Sequence, residues 1–264
     1  MLADIRDILI VTTRKDKPLY QELLKNGDNF GCHLQFAVQE EAGGIAQAFS
    51  LAENFIAGDN VMLVLGDNIF YDGDIENTLP KIAAEFKDGA LIFAKKVAQP
   101  QKYGIVEFSN DNVVSIEEKP EHPKSNWAIP GLYIYDQKVV EIAKGLRPSH
   151  RGELEITDVN SYYLQEGMLK CEKLHSEWYD AGDCDSLLVG ANAVKAHLER
   201  TGINVGCIEE VAFQKGWVNK ETLIKVASIN KTSALTGVSE AAPLNGVVTF
   251  NHSVAKKAKP LPCR

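Results

Sequence analysis

Residues 61–68 read VMLVLGDN, an apolar run that ends in Gly-Asp-Asn. Runs this continuously apolar are typical of strands that helices cover on both faces. Two more such runs occur at 7–13 (DILIVTT) and 90–94 (ALIFA), and segments with apolar residues at helical spacing, such as 44–56, lie between the runs. This alternation predicts an α/β fold built on a mostly parallel sheet.

The centre of the chain has a different pattern. Short candidate strands at 103–108, 113–117 and 131–135 are separated by turn-forming residues rich in Asn, Asp and Pro. Such spacing predicts antiparallel strands inserted into the main sheet. Elsewhere the apolar periodicity predicts helices over 18–25, 136–146, 158–166, 185–200 and 220–227.

The composition is that of an ordinary globular protein. Its 264 residues are 45% hydrophobic and 24% charged, which excludes fibrous and largely disordered classes and fits one large domain or two small ones. The formal net charge of −8 gives no electrostatic reason to bind nucleic acid or an anionic membrane. An anionic substrate would therefore need local basic residues or a metal ion.

Two features bear on the cellular compartment. No apolar run reaches the roughly 18 residues of a membrane-spanning helix, and charges at Asp4, Arg6 and Asp7 do not fit a signal peptide. The five cysteines are widely spaced and form no Cys-x-x-Cys pair, so we expect free thiols. Together these observations predict a cytoplasmic protein.

The final segment, 228–264, lacks apolar periodicity. It contains five basic residues and one acidic residue among Ser, Thr, Asn, Gly and Pro. We therefore expect a folded domain over 1–227, followed by a disordered basic tail.

Asp67 and Asp180 are the candidate metal ligands. Asp67 follows the 61–65 strand, and ligands of parallel sheets bind beyond the carboxyl ends of strands. Asp180 lies in a second polar segment, Trp-Tyr-Asp-Ala-Gly-Asp at 178–183. Mg²⁺ is usually held by one or two carboxylates plus substrate phosphate oxygens. The same residues are also compatible with a simple turn at Asp67 and a helix cap before Asp185.

Glu118, Lys119 and Arg151 are candidate contacts for a sugar phosphate. A carboxylate accepts hydrogen bonds from sugar hydroxyls, while lysine and the planar guanidinium of arginine suit phosphate. An exposed strand end would also explain Glu118 and Lys119. Thr157 or Asp158, which follow Arg151, are expected to cap the next helix.

Gln39 and Gly44 are candidate contacts for a nucleotide base. The Gln39 amide carries the donor and the acceptor that a thymine or uracil edge requires, and Gly43-Gly44 permits close approach of the backbone. A surface glutamine would have the same sequence context.

Six segments occur in an order that resembles the glucose-1-phosphate thymidylyltransferase family of nucleotidyltransferases. They are LGDNIFY (65–71), YGIVEF (103–108), EEKP (117–120), PKSNWAIPGLYIYD (123–136), RGELEITDVNSYYL (151–164) and WYDAG (178–182). The resemblance covers about residues 1–227. It implies a three-layer α/β nucleotide-binding fold with an inserted sugar-binding region, and the joining of dTTP to glucose 1-phosphate, which yields dTDP-glucose and pyrophosphate.

The resemblance also implies a role for each matching residue. Asp67 and Asp180 would hold Mg²⁺, and Gln39 and Gly44 would contact the thymine. The residues implied to surround glucose 1-phosphate are Tyr103, Gly104, Glu118, Lys119, Gly131 and Arg151. The expected partners are dTTP, glucose 1-phosphate and further copies of the chain in a homo-oligomer.

This sequence departs from the family pattern in three places. It contains no Gly-rich loop of the pattern G-G-x-G-T-R-L-x-P. It also begins where the family's second strand begins. The family's first strand lies at the centre of the sheet, so its neighbouring strands are expected to lack a ladder partner here. Asp183 stands where the family has Thr, and the tail differs from the family's final segment. From these departures we expect low activity of this chain by itself, or a non-catalytic sugar-phosphate-binding protein or partner subunit; a uridylyltransferase is a third alternative.

Overall fold

The computed structural model describes residues 1–73 and 75–229, with side chains as far as residue 226. Within this part of the chain the strands are β1 (Asp7–Thr12), β2 (His33–Val38), β3 (Val61–Val64), β4 (Asn68–Tyr71), β5 (Ala90–Lys96), β6 (Gly104–Ser109), β7 (Asn112–Glu118), β8 (Trp127–Ala128), β9 (Leu132–Tyr135), β10 (Leu169–Lys173) and β11 (Glu177–Asp180). The helices are α1 (Lys17–Leu24), α2 (Gln47–Leu51), α3 (Glu53–Ile56), α4 (Ile75–Glu85), α5 (Val139–Gly145), α6 (Ile156–Gln165), α7 (Cys184–Thr201), α8 (Ile208–Gln214) and α9 (Lys220–Ile229).

The main sheet has seven strands in the order β3-β9-β5-β8-β6-β7, with β10 added beside β5. Along β9, successive residues face opposite sides of the sheet. Tyr133 and Tyr135 pack with α2, α5 and α6 on one face, whereas Leu132 and Ile134 pack with Ile75 of α4 on the other. Helices therefore cover both faces, which confirms the predicted α/β architecture.

The expectation of mostly parallel pairing is wrong for the described strands. Parallel ladders join only β1 to β2 and β10 to β5, and the other six pairings are antiparallel. Two of the six result from the position of β9, which pairs antiparallel with both β3 and β5. These two strands run in the same direction, as expected of a crossover unit, but the returning chain has entered between them.

β1 and β2 form a separate two-stranded sheet. Among the described residues, no ladder joins it to β3, which has β9 as its ladder partner. A cavity of about 550 Å³ lies between the two sheets, lined by Leu9 and Val11 from β1 and by residues of β3, α2 and α3. This separation agrees with the expectation that strands in this part of the chain lack a ladder partner.

Most helix predictions are confirmed to within a few residues, but the predicted helix over 44–56 is divided. The structure has α2 and α3, with Ala52 between them at φ −92° and ψ 2°. The elements that were not predicted are β2, β4, β8, β10, β11, α4 and α8. In the described part of the chain no helix is both long and apolar enough to cross a membrane. Cys32, Cys171, Cys184 and Cys207 are free thiols, as predicted. Cys263 and the predicted disordered tail from residue 230 onward lie outside the described residues.

Candidate active site

Asp67 and Asp180 converge on the backbone of Gly182. Asp67 lies in the turn between β3 and β4, and antiparallel pairing of β4 with β11 places Asp180 opposite Asn68. The N–H of Ala181 donates to the Asp67 carbonyl at 2.7 Å. A Cβ added to Gly182 would lie 3.1 Å from Asp180 Oδ1 and 3.4 Å from Asp67 Oδ2. The two carboxylates therefore border one small space that the absence of a side chain at Gly182 keeps open.

This pair has the donor chemistry of a divalent-cation site. Carboxylate oxygens are the preferred protein ligands of Mg²⁺, which commonly takes its remaining ligands from water and substrate phosphate. Among residues 1–73 and 75–229 the structure shows no group of three or more His, Cys, Asp or Glu side chains placed to hold a metal. The two carboxylates therefore fit a cation whose remaining ligands are phosphate oxygens and water better than a cation that is surrounded by protein ligands.

Glu118 ends β7 and receives a hydrogen bond from the buried hydroxyl of Thr157 at the start of α6. The other carboxylate oxygen of Glu118 lies 3.5 Å from Arg151 Nη1 and 3.9 Å from Lys119 Nζ. One carboxylate and two cations are thus brought together. The arrangement suits a ligand with both hydroxyl and phosphate groups.

Arg151 is held by a group of acidic residues. Its guanidinium lies 3.1 Å from Glu153 Oε2 and 3.5 Å from Glu155 Oε1, and the Ser149 hydroxyl donates to Glu155 Oε1 at 2.7 Å. Glu155 is buried. A guanidinium held in one orientation by several acceptors can present its remaining donors to a phosphate without a large loss of side-chain entropy.

Tyr103 and Gly104 lie near the carboxylates of the site, with Tyr103 on the side of Asp180 and Gly104 next to Glu118. The rings of Tyr103 and Trp178 are 5.1 Å apart. Burial, followed by the negative charges of Asp180 and Asp183, raises the pKa of Tyr103, so its hydroxyl remains a donor at neutral pH. A Cβ on Gly104 would lie 3.3 Å from Glu118 Oε2, so any larger residue would press on that carboxylate.

Tyr133 is a buried residue that lies near the carboxylates of Glu118, Asp67 and Asp180. Burial raises its pKa, and the charges of Glu118, Asp67 and Asp180 raise it further. The three carboxylates therefore lie near enough to one buried phenol to act on it electrostatically.

Gly131 is required by packing in this structure. A Cβ there would lie 2.6 Å from Leu65 Cγ, and the Gly131 N–H donates to Asn68 Oδ1 at 2.8 Å. The predicted contact with a sugar remains a prediction.

Gln39 and Gly44 lie in the loop after β2. The Gln39 side-chain amide donates to the Gly44 carbonyl at 3.1 Å and to Gln47 Oε1 at 2.6 Å. Gly44 has φ +92°, and a Cβ there would lie 2.4 Å from the Leu154 carbonyl, so glycine is needed both for the backbone conformation and for the close approach. The loop is thereby fixed to the segment that carries Arg151.

Two helix caps differ in how well they were predicted. Asp183 caps α7 in a reciprocal capping box with Ser186, and hydrogen bonds from Ser186 lower the pKa of Asp183; this confirms the helix-cap interpretation. The prediction that Thr157 or Asp158 caps α6 is wrong, because Glu155 occupies the N-cap position. Thr157 lies inside the helix, and its hydroxyl bonds to Glu118 instead.

Comparison with known proteins agrees with this geometry. Residues 1–197 match the family model described as nucleotidyl transferase. The chain belongs to the nucleotidyl transferase family. This membership confirms the predicted class of enzyme.

Relatives within the nucleotidyl transferase family carry a more specific name. The glucose-1-phosphate thymidylyltransferase of Neisseria meningitidis is 46% identical over 230 residues, which cover 86% of this chain and 80% of the relative. The protein of the same name from Mycobacterium tuberculosis is also 46% identical, with 86% of this chain and 79% of that protein covered. These names agree with the resemblance and do not favour the non-catalytic alternative.

Solved structures of the family share the fold. A Bacillus anthracis protein assigned as a glucose-1-phosphate thymidylyltransferase, in complex with sucrose, aligns with a TM-score of 0.69 at 40% identity, over 78% of this chain and 81% of that chain. A UDP-glucose pyrophosphorylase complexed with UDP-glucose aligns with a TM-score of 0.65 over 75% of this chain and 83% of that chain. Its identity is 22%, so this second likeness supports the fold alone.

Several residues of the site were missed by sequence reasoning. Asn68, Glu155 and Trp178 were quoted within motifs but given no role, and Thr157 was given a wrong one. Asn68, Thr157 and Trp178 make long-range hydrogen bonds between segments, which spacing along one segment does not reveal. Glu155 contacts Ser149 and Arg151 of its own segment. The available signal was a polar side chain inside an otherwise apolar motif, as at Asn68 within LGDNIFY.

Proposed function

We propose that this protein transfers a thymidylyl group from dTTP to glucose 1-phosphate. An oxygen of the sugar phosphate forms a bond to the α-phosphorus of dTTP, the bond from that phosphorus to the bridging oxygen breaks, and pyrophosphate leaves. The observation that carries the proposal is the convergence of Asp67 and Asp180 at Gly182 beside the Glu118 and Arg151 group. The names of the 46% identical relatives supply the base and the sugar.

Each side chain has a defined task in this direct displacement. Glu118, held by Thr157, accepts hydrogen bonds from sugar hydroxyls, and Arg151 and Lys119 bind the sugar phosphate. Asp67 and Asp180 would hold Mg²⁺, which, when bound, neutralises phosphate charge. Because the attack is direct, no protein nucleophile is needed; alignment and charge neutralisation lower the barrier.

Base recognition is assigned to the loop after β2. Gln39 already donates to Gly44 and Gln47, so its orientation is fixed before the ligand binds. We propose that its acceptor oxygen and the backbone around Gly44 form hydrogen bonds with the thymine edge. A cytoplasmic location and a homo-oligomeric state remain predictions.

The test is a product assay with Mg²⁺, glucose 1-phosphate and either dTTP or UTP. We expect dTDP-glucose and pyrophosphate in equal amounts, with UTP used at least about tenfold less well, as expected for one or two lost contacts. Separate titrations should show that glucose 1-phosphate binds in the absence of nucleotide. A preference for UTP would replace the proposal with the uridylyltransferase reading.

The assay should include a version of the chain that carries a Gly-rich loop segment ahead of Met1. Such a loop at a helix N-terminus is the usual cradle for polyphosphate, and each electrostatic contact of this kind is worth about 10² to 10³ in rate. We expect the extended version to be faster by about this factor. Absence of product from both versions would contradict the proposed function.

A further inference from the structure

Asn68 is the first residue of β4 and one of the few polar side chains in the core, with 2% of its surface exposed. It lies between three segments that the chain brings together from a distance: the turn that carries Asp67, the strand that carries Asp180, and the loop at Gly131. A buried amide is costly unless it is hydrogen-bonded.

Every described contact of the Asn68 side chain goes to a residue of the site. Its Nδ2 donates to Asp67 Oδ1 at 2.8 Å. Its Oδ1 accepts from the Gly131 N–H at 2.8 Å and from Trp178 Nε1 at 2.7 Å. Because both partners of the oxygen are obligatory donors, the orientation of the amide is fixed by its surroundings.

We propose that Asn68 is a positioning residue that sets the separation of the two metal-binding carboxylates. The bond to Asp67 fixes one carboxylate, and the bond to Trp178 fixes the strand on which Asp180 lies two residues further on. The hydrogen bond from the Gly131 N–H joins both carboxylates to the part of the site that carries the candidate sugar contacts. This inference rests on the proposed function only for the role of Asp67 and Asp180.

The argument depends on the geometry of the turn. Asp67 lies outside the β4–β11 ladder, which begins at Asn68 and Asp180, so the ladder does not hold its carboxylate. A satisfied polar network in a low-dielectric core selects one arrangement of the groups that it joins. Without the Asn68 amide, the Asp67 carboxylate would lose a donor to Oδ1, and the position of Oδ2 beside Gly182 would be less closely fixed.

The experiment compares Asn68→Leu, Asn68→Asp and Asn160→Leu in the full chain. Leucine removes both the donor and the acceptor at nearly constant volume, whereas aspartate keeps the acceptor for Gly131 and Trp178. Asn160 is the matched control, because it is fully buried and accepts from the Tyr135 hydroxyl at 2.6 Å away from the site. The probe is Mn²⁺ alone, followed by its affinity and by its paramagnetic broadening of the Trp178 indole N–H signal, assigned with Trp178→Phe.

We expect Asn68→Leu to weaken Mn²⁺ binding at least about tenfold, the effect of losing one charge-assisted hydrogen bond, and to move the Trp178 indole signal. Asn68→Asp should restore the indole signal to its original position. Asn160→Leu should lower thermal stability while leaving Mn²⁺ affinity within about twofold, because no ligand is disturbed.

Equal losses of Mn²⁺ affinity in Asn68→Leu and Asn160→Leu would overturn the inference, since both would then reflect general destabilisation. Unchanged Mn²⁺ affinity in Asn68→Leu would overturn it as well. Neither measurement involves nucleotide or sugar. A chain that shows the expected Mn²⁺ results but makes no dTDP-glucose would therefore refute the proposed function and leave the role of Asn68 intact.

Discussion

The two halves of the candidate site are built on different parts of the molecule. The sugar-phosphate half consists of Glu118 on β7, Asp180 on β11 and Arg151 in the loop before α6. Hydrogen bonds through Thr157 and Asn68 join these segments. The base half, with Gln39 and Gly44, follows the two-stranded β1–β2 sheet, which a cavity of about 550 Å³ separates from β3. One half is held by the main core, whereas the other depends on a smaller core of its own.

The difference indicates how the halves are coupled. The N–H of Leu154 donates to the Gly43 carbonyl at 2.8 Å, and the N–H of Ala46 donates to the Leu154 carbonyl at 3.2 Å. The loop that carries Gln39 and Gly44 (the base loop) is thus attached directly to the segment that carries Arg151. The β1–β2 sheet that precedes this loop shares no described ladder with the main sheet. Changes on the sugar-phosphate side should affect chemistry, and changes on the base side should affect nucleotide affinity and local stability.

The largest effect is expected at the two carboxylates. Asp67→Asn and Asp180→Asn keep the size of the side chain but remove its charge, so each should lower Mg²⁺-dependent synthesis by about 10² to 10³ or more. Glucose 1-phosphate binding, measured by calorimetry without nucleotide, should change by less than about threefold, since Glu118 and Arg151 are untouched.

Asp183→Asn is the matched control for loss of a nearby charge. Asn is as good an N-cap as Asp, so the capping box at the start of α7 should persist and activity should fall only slightly. An inactive Asp183→Asn beside active Asp67 and Asp180 variants would show that the metal assignment is wrong.

The second effect concerns the attachment of the base loop. Gly44→Ala places a Cβ 2.4 Å from the Leu154 carbonyl at a φ of +92°, which should cost about 1 to 3 kcal/mol in unfolding free energy. We expect the KM for dTTP to rise at least about tenfold and the affinity for glucose 1-phosphate to change less.

Gly145→Ala is its control, because an added Cβ at the end of α5 has no described atom within 4 Å apart from the helix backbone and the adjacent residues. It should be neutral or stabilising by up to about 1 kcal/mol. A larger loss in glucose 1-phosphate affinity than in dTTP affinity for Gly44→Ala would contradict the assignment of this loop to the base.

The third effect is a difference in local opening. Amides of β1 and β2 should exchange through openings of lower free energy than those of β5 and β9, because the smaller sheet lacks further ladder partners among the described residues and adjoins a cavity. Hydrogen exchange followed by mass spectrometry measures this directly. Equal protection of the two sheets would show that they open as one unit.

The sequence predicted which segments form helices and strands better than it predicted which strands pair with each other. The apolar runs at β1, β3 and β5 were identified because both faces of these strands are buried, but this pattern carries no information about the neighbour, so the entry of β9 between β3 and β5 was missed. The same holds in the site. Asp67 was identified by its place after a predicted strand, and Asp180 by its polar segment and the family resemblance. Asn68 and Thr157 act through hydrogen bonds to distant segments, which neither signal reveals.

The smallest effect tests whether the cavity itself weakens the base half. Ala52 lies between α2 and α3 and lines the cavity, so Ala52→Leu adds apolar atoms where space exists and should stabilise the protein by about 0.5 to 2 kcal/mol. Ala46 is fully buried in the main core and is absent from the cavity lining, so Ala46→Leu should destabilise by about 1 to 3 kcal/mol through overpacking.

Thermal unfolding compares the stability of the two variants, and hydrogen exchange shows in which strands the gain in stability occurs. If Ala52→Leu slows exchange in β1 and β2 but not in β5, the cavity is the cause of the weaker half. A loss of stability in both alanine variants would mean that the space closes in solution.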